Sequence, residues 1–409
     1  MASKSKDADK REPDFRPLEV WQAVESGEVS DLADIAAIYD EQRAGCPVSW
    51  TDPGHGEGYW TVLAHKDVTE VVRDPQRFSS AVPKYGDPLI PIEIDPPLHT
   101  QYRALLSRLI NPSKMKVFEA DIRDYAGGLL DEALAAPEPD LLSVTSTIPL
   151  RVFCLLLGTP DDEEWRRIKE MTEDLHNRRI PTFSTDPEHI AAREAASVPR
   201  VEYCKKRIAH RRAEPGDDLA TDILAGQIDG RDVTDDEALR ILSLLYLAGH
   251  RTTANSMAGI VVELARNPEI FQRLQAEPEK IPAAVEELLR VETVLHIMPR
   301  YCTQDTTLGG QQIRAGEQVY PAFGAANLDS TAIRDAATID IDRKPNRHMA
   351  FGLGVHVCAG APLARLQLRV FIEELLARLE SMELCGTVTR EKWPRFGPTQ
   401  LPLKVRLKS

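Results

Sequence analysis

One stretch constrains the fold of this chain more than any other: a run of helical periodicity that opens at Thr234 and stops at Asn267-Pro268. Thr234 followed three residues later by Glu237 is a capping box, and Asp235 and Asp236 place negative charge on the first turn. Ile241, Leu242, Leu244, Leu245, Ala248, Ile260, Val261 and Leu264 then recur at helical spacing until Pro268 ends the ladder. Roughly 32 residues at 1.5 Å each make a helix about 48 Å long. That length crosses a whole domain, and its apolar faces require cover on nearly every side. A chain that buries such a helix is mainly α, with other helices packed around it.

The remaining pattern agrees. His99–Ile110, Met115–Ala136 and Leu141–Leu157 read as helices, and most of Asp161–Arg378 does too, apart from an irregular piece at Ile180–Pro187. Pro47–Trp50 and Tyr59–Ala64 read as a hairpin around the turn-rich Asp52-Pro53-Gly54-His55-Gly56. Five prolines make Ser79–Pro97 an irregular loop. Extended segments are expected at Thr307–Leu308, Gln312–Ile313, Gln318–Pro321 and Leu403–Leu407. With no internal repeat and no Gly/Ser linker, the expectation is a solvated tail over 1–14 and one large, mainly α domain with minor β-sheet over 15–409.

Charge and cysteine usage narrow the class. Fifty basic against 64 acidic residues leave a formal charge of −14, which argues against nucleic acid or an anionic membrane as partner. No apolar run approaches the roughly 18–20 residues that span a bilayer, and the charged stretch Met1–Pro13 is no signal peptide. Cys46, Cys154, Cys204, Cys302, Cys358 and Cys385 are scattered without a CxxC pair, the usage of reduced thiols in a cytoplasm.

The strongest chemical signal is Phe351-Gly352-Leu353-Gly354-Val355-His356-Val357-Cys358-Ala359-Gly360. Gly354 and Gly360 permit close backbone approach with N–H groups turned to the sulfur. Helix propensity from Ala361 onward places Cys358 at a helix N-terminus, where the dipole lowers a thiol pKa. A zinc site fails for want of a second ligand pair, and a dinucleotide fingerprint fails because Val357 stands where its third glycine belongs.

This segment resembles the cysteine loop of the cytochrome P450 family, the haem-thiolate monooxygenases. Phe351, Gly354, Cys358 and Gly360 meet the family pattern FxxGxxxCxG, with His356 at the common basic position. Glu287-Leu288-Leu289-Arg290 matches its ExxR, with Arg343 the expected third member of a structural cluster. Asp95-Pro96-Pro97-Leu98-His99-Thr100-Gln101-Tyr102-Arg103 looks like its DPPxHTxxR segment. Ala248-Gly249-His250-Arg251-Thr252-Thr253 resembles its oxygen-binding motif. The resemblance runs from about Pro47 to the C-terminus and implies the P450 fold, with the long helix over the haem.

By that resemblance the cofactor is haem b (iron protoporphyrin IX) with Cys358 as axial metal ligand. His99, Arg103, Arg300 and His356 bind propionates, and Phe351 and Gly360 complete the cofactor loop. Gly249 and Thr252 serve O2 and proton delivery. Arg251 departs from the family, which usually has Asp or Glu there; arginine cannot shuttle a proton as a carboxylate can. Three readings of it are open: a relay that bypasses it through water and Thr252, an outward pairing with an acid near Glu170–Asp174, or an anionic substrate.

The implied reaction inserts one atom of O2 into a small or medium lipophilic substrate by hydroxylation or O-dealkylation. Electrons come from NAD(P)H through a separate ferredoxin and ferredoxin reductase, since this length leaves no room for a fused reductase. Arg108, Lys114, Lys116, Lys344, Arg347 and Arg369 are the candidate docking patch. Leu245, Ala248, Val294, Leu295, His296, Ile297, Phe183 and Thr399 are the candidate substrate-pocket residues, with His296 able to hold a polar handle. The alternative, kept open by Arg251, is a peroxide- or nitric-oxide-using haem-thiolate enzyme of a bacterial, cytoplasmic type.

Overall fold

The fold is taken from a computed structural model that describes residues 17–52, 57–81, 87–159, 161–177, 185–392 and 394–408. The tail over 1–14, the turn at 53–56 and Phe183 lie outside the described residues.

A five-stranded sheet flanks a larger helical body. It is built from β1 (Val48–Thr51), β2 (Tyr59–Val62), β3 (Phe78–Ser79), β4 (Arg300–Cys302) and β5 (Gln318–Pro321), in the order β1-β2-β5-β4-β3. β1 and β2 form the expected antiparallel pair, with Val48 opposite Val62. β2 and β5 run parallel, β4 pairs antiparallel with β5, and Arg300 is thereby fixed opposite Val319. The extended pieces read near Thr307, Gln312 and Leu403 are present as Thr306–Leu308, Gln311–Ile313 and Leu403–Leu407. Leu403–Leu407 pairs with Leu379–Leu384, a strand whose onset directly after a helix carries no turn signal.

Six helices position the site: α1 (Leu98–Leu109), α2 (Leu141–Leu156), α3 (Asp235–Ala248), α4 (Arg251–Arg266), α5 (Ile281–Val291) and α6 (Ala361–Arg378). The capping box forms as read, with Thr234 Oγ1 accepting from the Glu237 N–H and the Glu237 carboxylate accepting from the Thr234 N–H. α4 is buried from Thr253 to Ala265 except at Asn255. Met257, Ile260, Val261 and Leu264 share one core cluster with Val144, Ile148 and Phe153 of α2 and Val370, Phe371 and Leu375 of α6. Among the described residues no helix is long and apolar enough to cross a membrane.

The long helix is not continuous. It breaks at Gly249–His250, where His250 takes φ −130° and ψ −42° and leaves the helical range. Gly249 is required at this point. A Cβ on it would stand 2.5 Å from Cε2 of Phe153 and 2.6 Å from the Leu245 carbonyl oxygen. α3 ends with the Gly249 N–H on Leu245 O, and the ladder resumes with the Ala254 N–H on His250 O. The periodicity of the apolar residues persists across the break, so hydrophobic spacing alone reads as one helix.

Candidate active site

Cys358 lies just before the first turn of α6. Gly354 makes the loop possible: its φ is +74°, and a side chain there would strike the Val72 carbonyl oxygen. The Cys358 N–H donates to Phe351 O at 2.8 Å, closing the loop on itself. Phe351 is clamped beneath Arg365, whose guanidinium carbon sits 4.5 Å from the ring centroid and whose donors reach Glu286 at 2.7 and 2.8 Å. The N–H groups of Gly360 and Ala361 point at the sulfur, as the helix-terminus reading expects. Gly360 itself has φ −81° and needs no special conformation.

The net pKa direction differs from the expectation. Burial pushes the Cys358 thiol up, outweighing the two N–H donors and the charge of Arg103. Yet Cys358 has accessible surface, so one face of the side chain that burial raises is open, and Val357 beside it is exposed too. Leu247, Ala248 and Thr252 are exposed at the junction of α3 and α4.

Beside the cysteine loop the structure brings together His99, Arg103, Arg300 and His356. The rings of His99 and His356 stand 4.3 Å apart, and Arg103 Nη1 donates to Val357 O. His99 is 2% exposed, and among the described residues neither ring nitrogen has a hydrogen-bond partner; His356 Nε2 has none either. Burial, then Arg300, His99 and Arg103, push the His356 pKa down to about 3. Burial lowers Arg300 to about 10, opposed by Asp95. Asp95 is committed elsewhere, since it accepts from Ser79 Oγ and from the Ser80 N–H at 2.9 Å. Two arginines and two histidines therefore crowd one enclosed place with no carboxylate paired to them among the described residues.

That donor set fits haem. Two propionates would supply the missing anionic oxygens, and a lone cysteine facing two N–H groups would offer its sulfur to the iron. Behind the loop, Glu287 and Arg290 pair at 2.8 and 2.9 Å, and Arg343 Nε reaches Glu287 at 3.0 and 3.1 Å. Burial works to raise the Glu287 pKa, but the two arginines and the Asp340 N–H outweigh it and hold the carboxyl low.

At the junction of α3 and α4, Thr252 Oγ1 donates to Ala248 O across the helix break at 3.3 Å. Arg251 does pair with an acid; of the stretch Glu170–Asp174, the side chains from Thr172 on lie outside the described ones. Its guanidinium meets Glu391, in the segment before the last strand, and Glu391 Oε2 also accepts from Asn255 Nδ2 at 2.9 Å. Sequence reading missed Glu391 and Asn255, and nothing in the local pattern around Glu391 marks it.

The pocket candidates separate. Ala248 and Thr399 are exposed, Leu245 and Leu295 are half-buried, and Val294 is buried. His296 is not available to a substrate: its Nδ1 lies 2.7 Å from Tyr39 Oη, its ring is tilted against Phe396 at 4.8 Å between centroids, and Gly324 packs so close to it that no Cβ fits between them. Burial drives its pKa to about 3, so it is a neutral core histidine. Ile297 is buried with Tyr39, Tyr320 and Phe396 in a second apolar cluster.

Comparison with known proteins agrees with this geometry. The family described as Cytochrome P450 matches residues 162–405. Linalool 8-monooxygenase of Pseudomonas putida is 33% identical over 373 residues, 86% of this chain and 91% of that protein. Mycinamicin IV hydroxylase/epoxidase of Micromonospora griseorubida is 34% identical over 390 residues, 90% of this chain and 95% of that protein. Among solved structures, a mutant of P450 EryK in complex with erythromycin B superposes with a TM-score of 0.83 at 32% identity, over 92% of this chain and 98% of that one.

Proposed function

The chain belongs to the cytochrome P450 family and is a P450 monooxygenase, and from that premise we propose that Cys358 is the axial thiolate of haem b and that His99, Arg103, Arg300 and His356 hold its propionates. The observation that carries this is the enclosed group of two arginines and two histidines without a paired carboxylate among the described residues, beside Cys358. Bound there, the haem supplies dioxygen activation and the transfer of one oxygen atom to substrate.

The chain's own part is to hold and to exclude. The N–H groups of Gly360 and Ala361 favour sulfur as an anion, against the burial that disfavours it. The loop that presents the sulfur to them turns at Gly354, where no side chain fits. Thr252 offers a hydroxyl at the helix break, where proton delivery to the oxygen side needs a donor. His250, buried beside Phe153, is held neutral with a pKa of about 4 by burial and then by Arg251, so it adds no charge at the break.

The substrate is small or medium and lipophilic, hydroxylated or O-dealkylated. Leu247, 40% exposed, and Ala248 present apolar surface beside Thr252, and linalool, named for one relative, is a molecule of that kind. Electrons arrive from NAD(P)H by way of ferredoxin and its reductase. Arg108, Lys116, Lys344 and Arg347 are exposed and make no ion pair among the described residues, which leaves them for an acidic partner. Lys114 is paired with Asp222 at 3.7 Å and Arg369 with Glu119 and Glu373 at 2.8 Å, so the patch is smaller than the sequence suggests. Engagement of Arg251 by Glu391 gives the peroxide- or nitric-oxide-using alternative no support from geometry.

The test is an absorption spectrum of the dithionite-reduced protein under carbon monoxide, beside Cys358→Ser. A strongly red-shifted Soret band that is lost in the variant is expected. An unchanged band in Cys358→Ser overturns the ligand assignment.

A further inference from the structure

The first turn of α4 has an unusual start. Its N-cap residue His250 makes no side-chain capping bond, and Arg251 places positive charge where the helix dipole favours negative. A helix end of this kind must be held from outside. Glu391 does so: one carboxylate oxygen takes Arg251 Nη2, and the other takes Asn255 Nδ2 at 2.9 Å. Residues 251 and 255 are one turn apart and share a face, so a single buried carboxylate grips that face of the turn and supplies the negative charge the dipole lacks.

The grip is anchored on a stiff support. The Glu391 N–H donates to Gly397 O at 2.8 Å, closing a tight reversal of the chain. Gly397 lies so close to the Asn255 side chain that no Cβ fits between them. The preceding residue, Arg390, is fixed bidentately to Glu292 at 2.7 and 2.8 Å. Thr252 sits in the gripped turn, next to Arg251, and its hydroxyl spans the break to Ala248 O.

We propose that Glu391 is a positioning residue for the oxygen side of the active site: through Arg251 and Asn255 it fixes the first turn of α4 and, with it, the hydroxyl of Thr252. The inference rests on the role given to Thr252 above. It also assigns Arg251 a purpose. The side chain is the handle by which a distant segment holds the break. Arg395 lies close enough to feel both charges, with burial and Arg251 lowering its pKa and Glu391 raising it. Releasing Arg251 therefore leaves two guanidiniums near each other, which drives the turn open further.

The experiment compares haem-loaded wild type with Glu391→Gln, Arg251→Met and the double variant. Amide hydrogen exchange over residues 250–255 is read first. Loss of a buried charge-assisted bond should speed exchange there about tenfold in Glu391→Gln. The double variant should be no faster than the faster single one, because both remove the same link. The infrared C–O stretch of the carbon monoxide complex is read second, since it responds to polar groups on the oxygen side, and it should shift in Glu391→Gln. Unchanged exchange, or effects that add, overturns the clamp. Faster exchange with an unmoved C–O stretch makes Glu391 merely structural and overturns the positioning role. If Glu391→Gln does not fold, Asn255→Ala removes one of the two bonds and should give the same changes in smaller measure. A wild type without a red-shifted Soret band defeats the haem reading, while the exchange result still decides the clamp.

Discussion

Arg290 and Arg300 are both buried guanidiniums close to the cysteine loop, and they are used in opposite ways. Arg290, 1% exposed, spends all five N–H donors inside the protein: two on Glu287 and one each on the carbonyls of Asn327, Ala336 and Thr338. Arg300, 6% exposed, makes one hydrogen bond among the described residues, from Nη1 to Pro299 O at 2.8 Å; His99, Arg103 and His356 beside it are cationic or neutral, and the carboxylate that acts on it, Asp95, is bonded to Ser79 and Ser80 instead. A satisfied guanidinium is architecture. An arginine cannot escape its burial by losing a proton at any physiological pH. Hence an unsatisfied one, with like charges beside it, is a place prepared for an anion that the protein alone does not contain.

The comparison breaks first at Arg290. Arg290→Met takes from the buried Glu287 carboxylate one of its two arginines, leaves three carbonyl groups without their donor, and should cost about 3–5 kcal/mol of stability. Urea unfolding should show that loss to the same extent with and without haem. A loss confined to the haem-loaded protein would mean that Arg290 belongs with the ligand site after all.

Arg300→Met should do the reverse. Without haem it removes a like charge from a crowded place, so stability should be unchanged or higher. With haem, a buried charge-assisted bond worth about 1.5–3 kcal/mol is lost, and haem transfer to a scavenger should be at least about tenfold faster. Haem loss at the wild-type rate would remove Arg300 from the propionate set.

How much of this was legible in the sequence follows from distance along the chain. The Phe351–Gly360 loop and the His99/Arg103 pair are local, so their spacing reports their geometry directly. The strands near Gln318 and Leu403 and the capping box at Thr234 are equally local, and the structure has them where the pattern puts them. The break at Gly249–His250 leaves no mark on the apolar spacing, and the ring that packs against Gly249 there, Phe153, comes from another helix about a hundred residues earlier. Glu391 meets Arg251 across 140 residues, and no periodicity encodes that meeting. His296 fails as a pocket residue for the same reason. Its partner Tyr39 is 257 residues away, and a histidine in an apolar stretch looks alike whether it faces a ligand or a tyrosine.

A third buried cluster sharpens the contrast from the acidic side. Glu263 and Glu292 are buried side by side, Glu263 paired with Arg266 at 3.1 Å and Glu292 with Arg390 at 2.7 Å, so like charges crowd there as they do around Arg300. A carboxylate, unlike arginine, can relieve that crowding and its own burial by keeping a proton. Burial, then the charge of Glu292, push the Glu263 pKa up to about 7, with Arg266 and Arg390 opposing. In the unfolded chain the same group titrates near its ordinary value of 4.5. Between those two values the folded state binds more protons than the unfolded state, so stability falls as pH rises through that window. The contribution is fully present below pH 4.5 and gone above about 7. Glu263→Gln, which keeps the shape of the protonated acid, should flatten the decline between about pH 5 and 8 and raise stability at pH 8 by about 1–2 kcal/mol. Thermal unfolding of the two proteins across that range measures it. An equally steep decline in the variant would show that Glu263 is ionised in the fold, and that Arg266 and Arg390 satisfy both carboxylates without a proton.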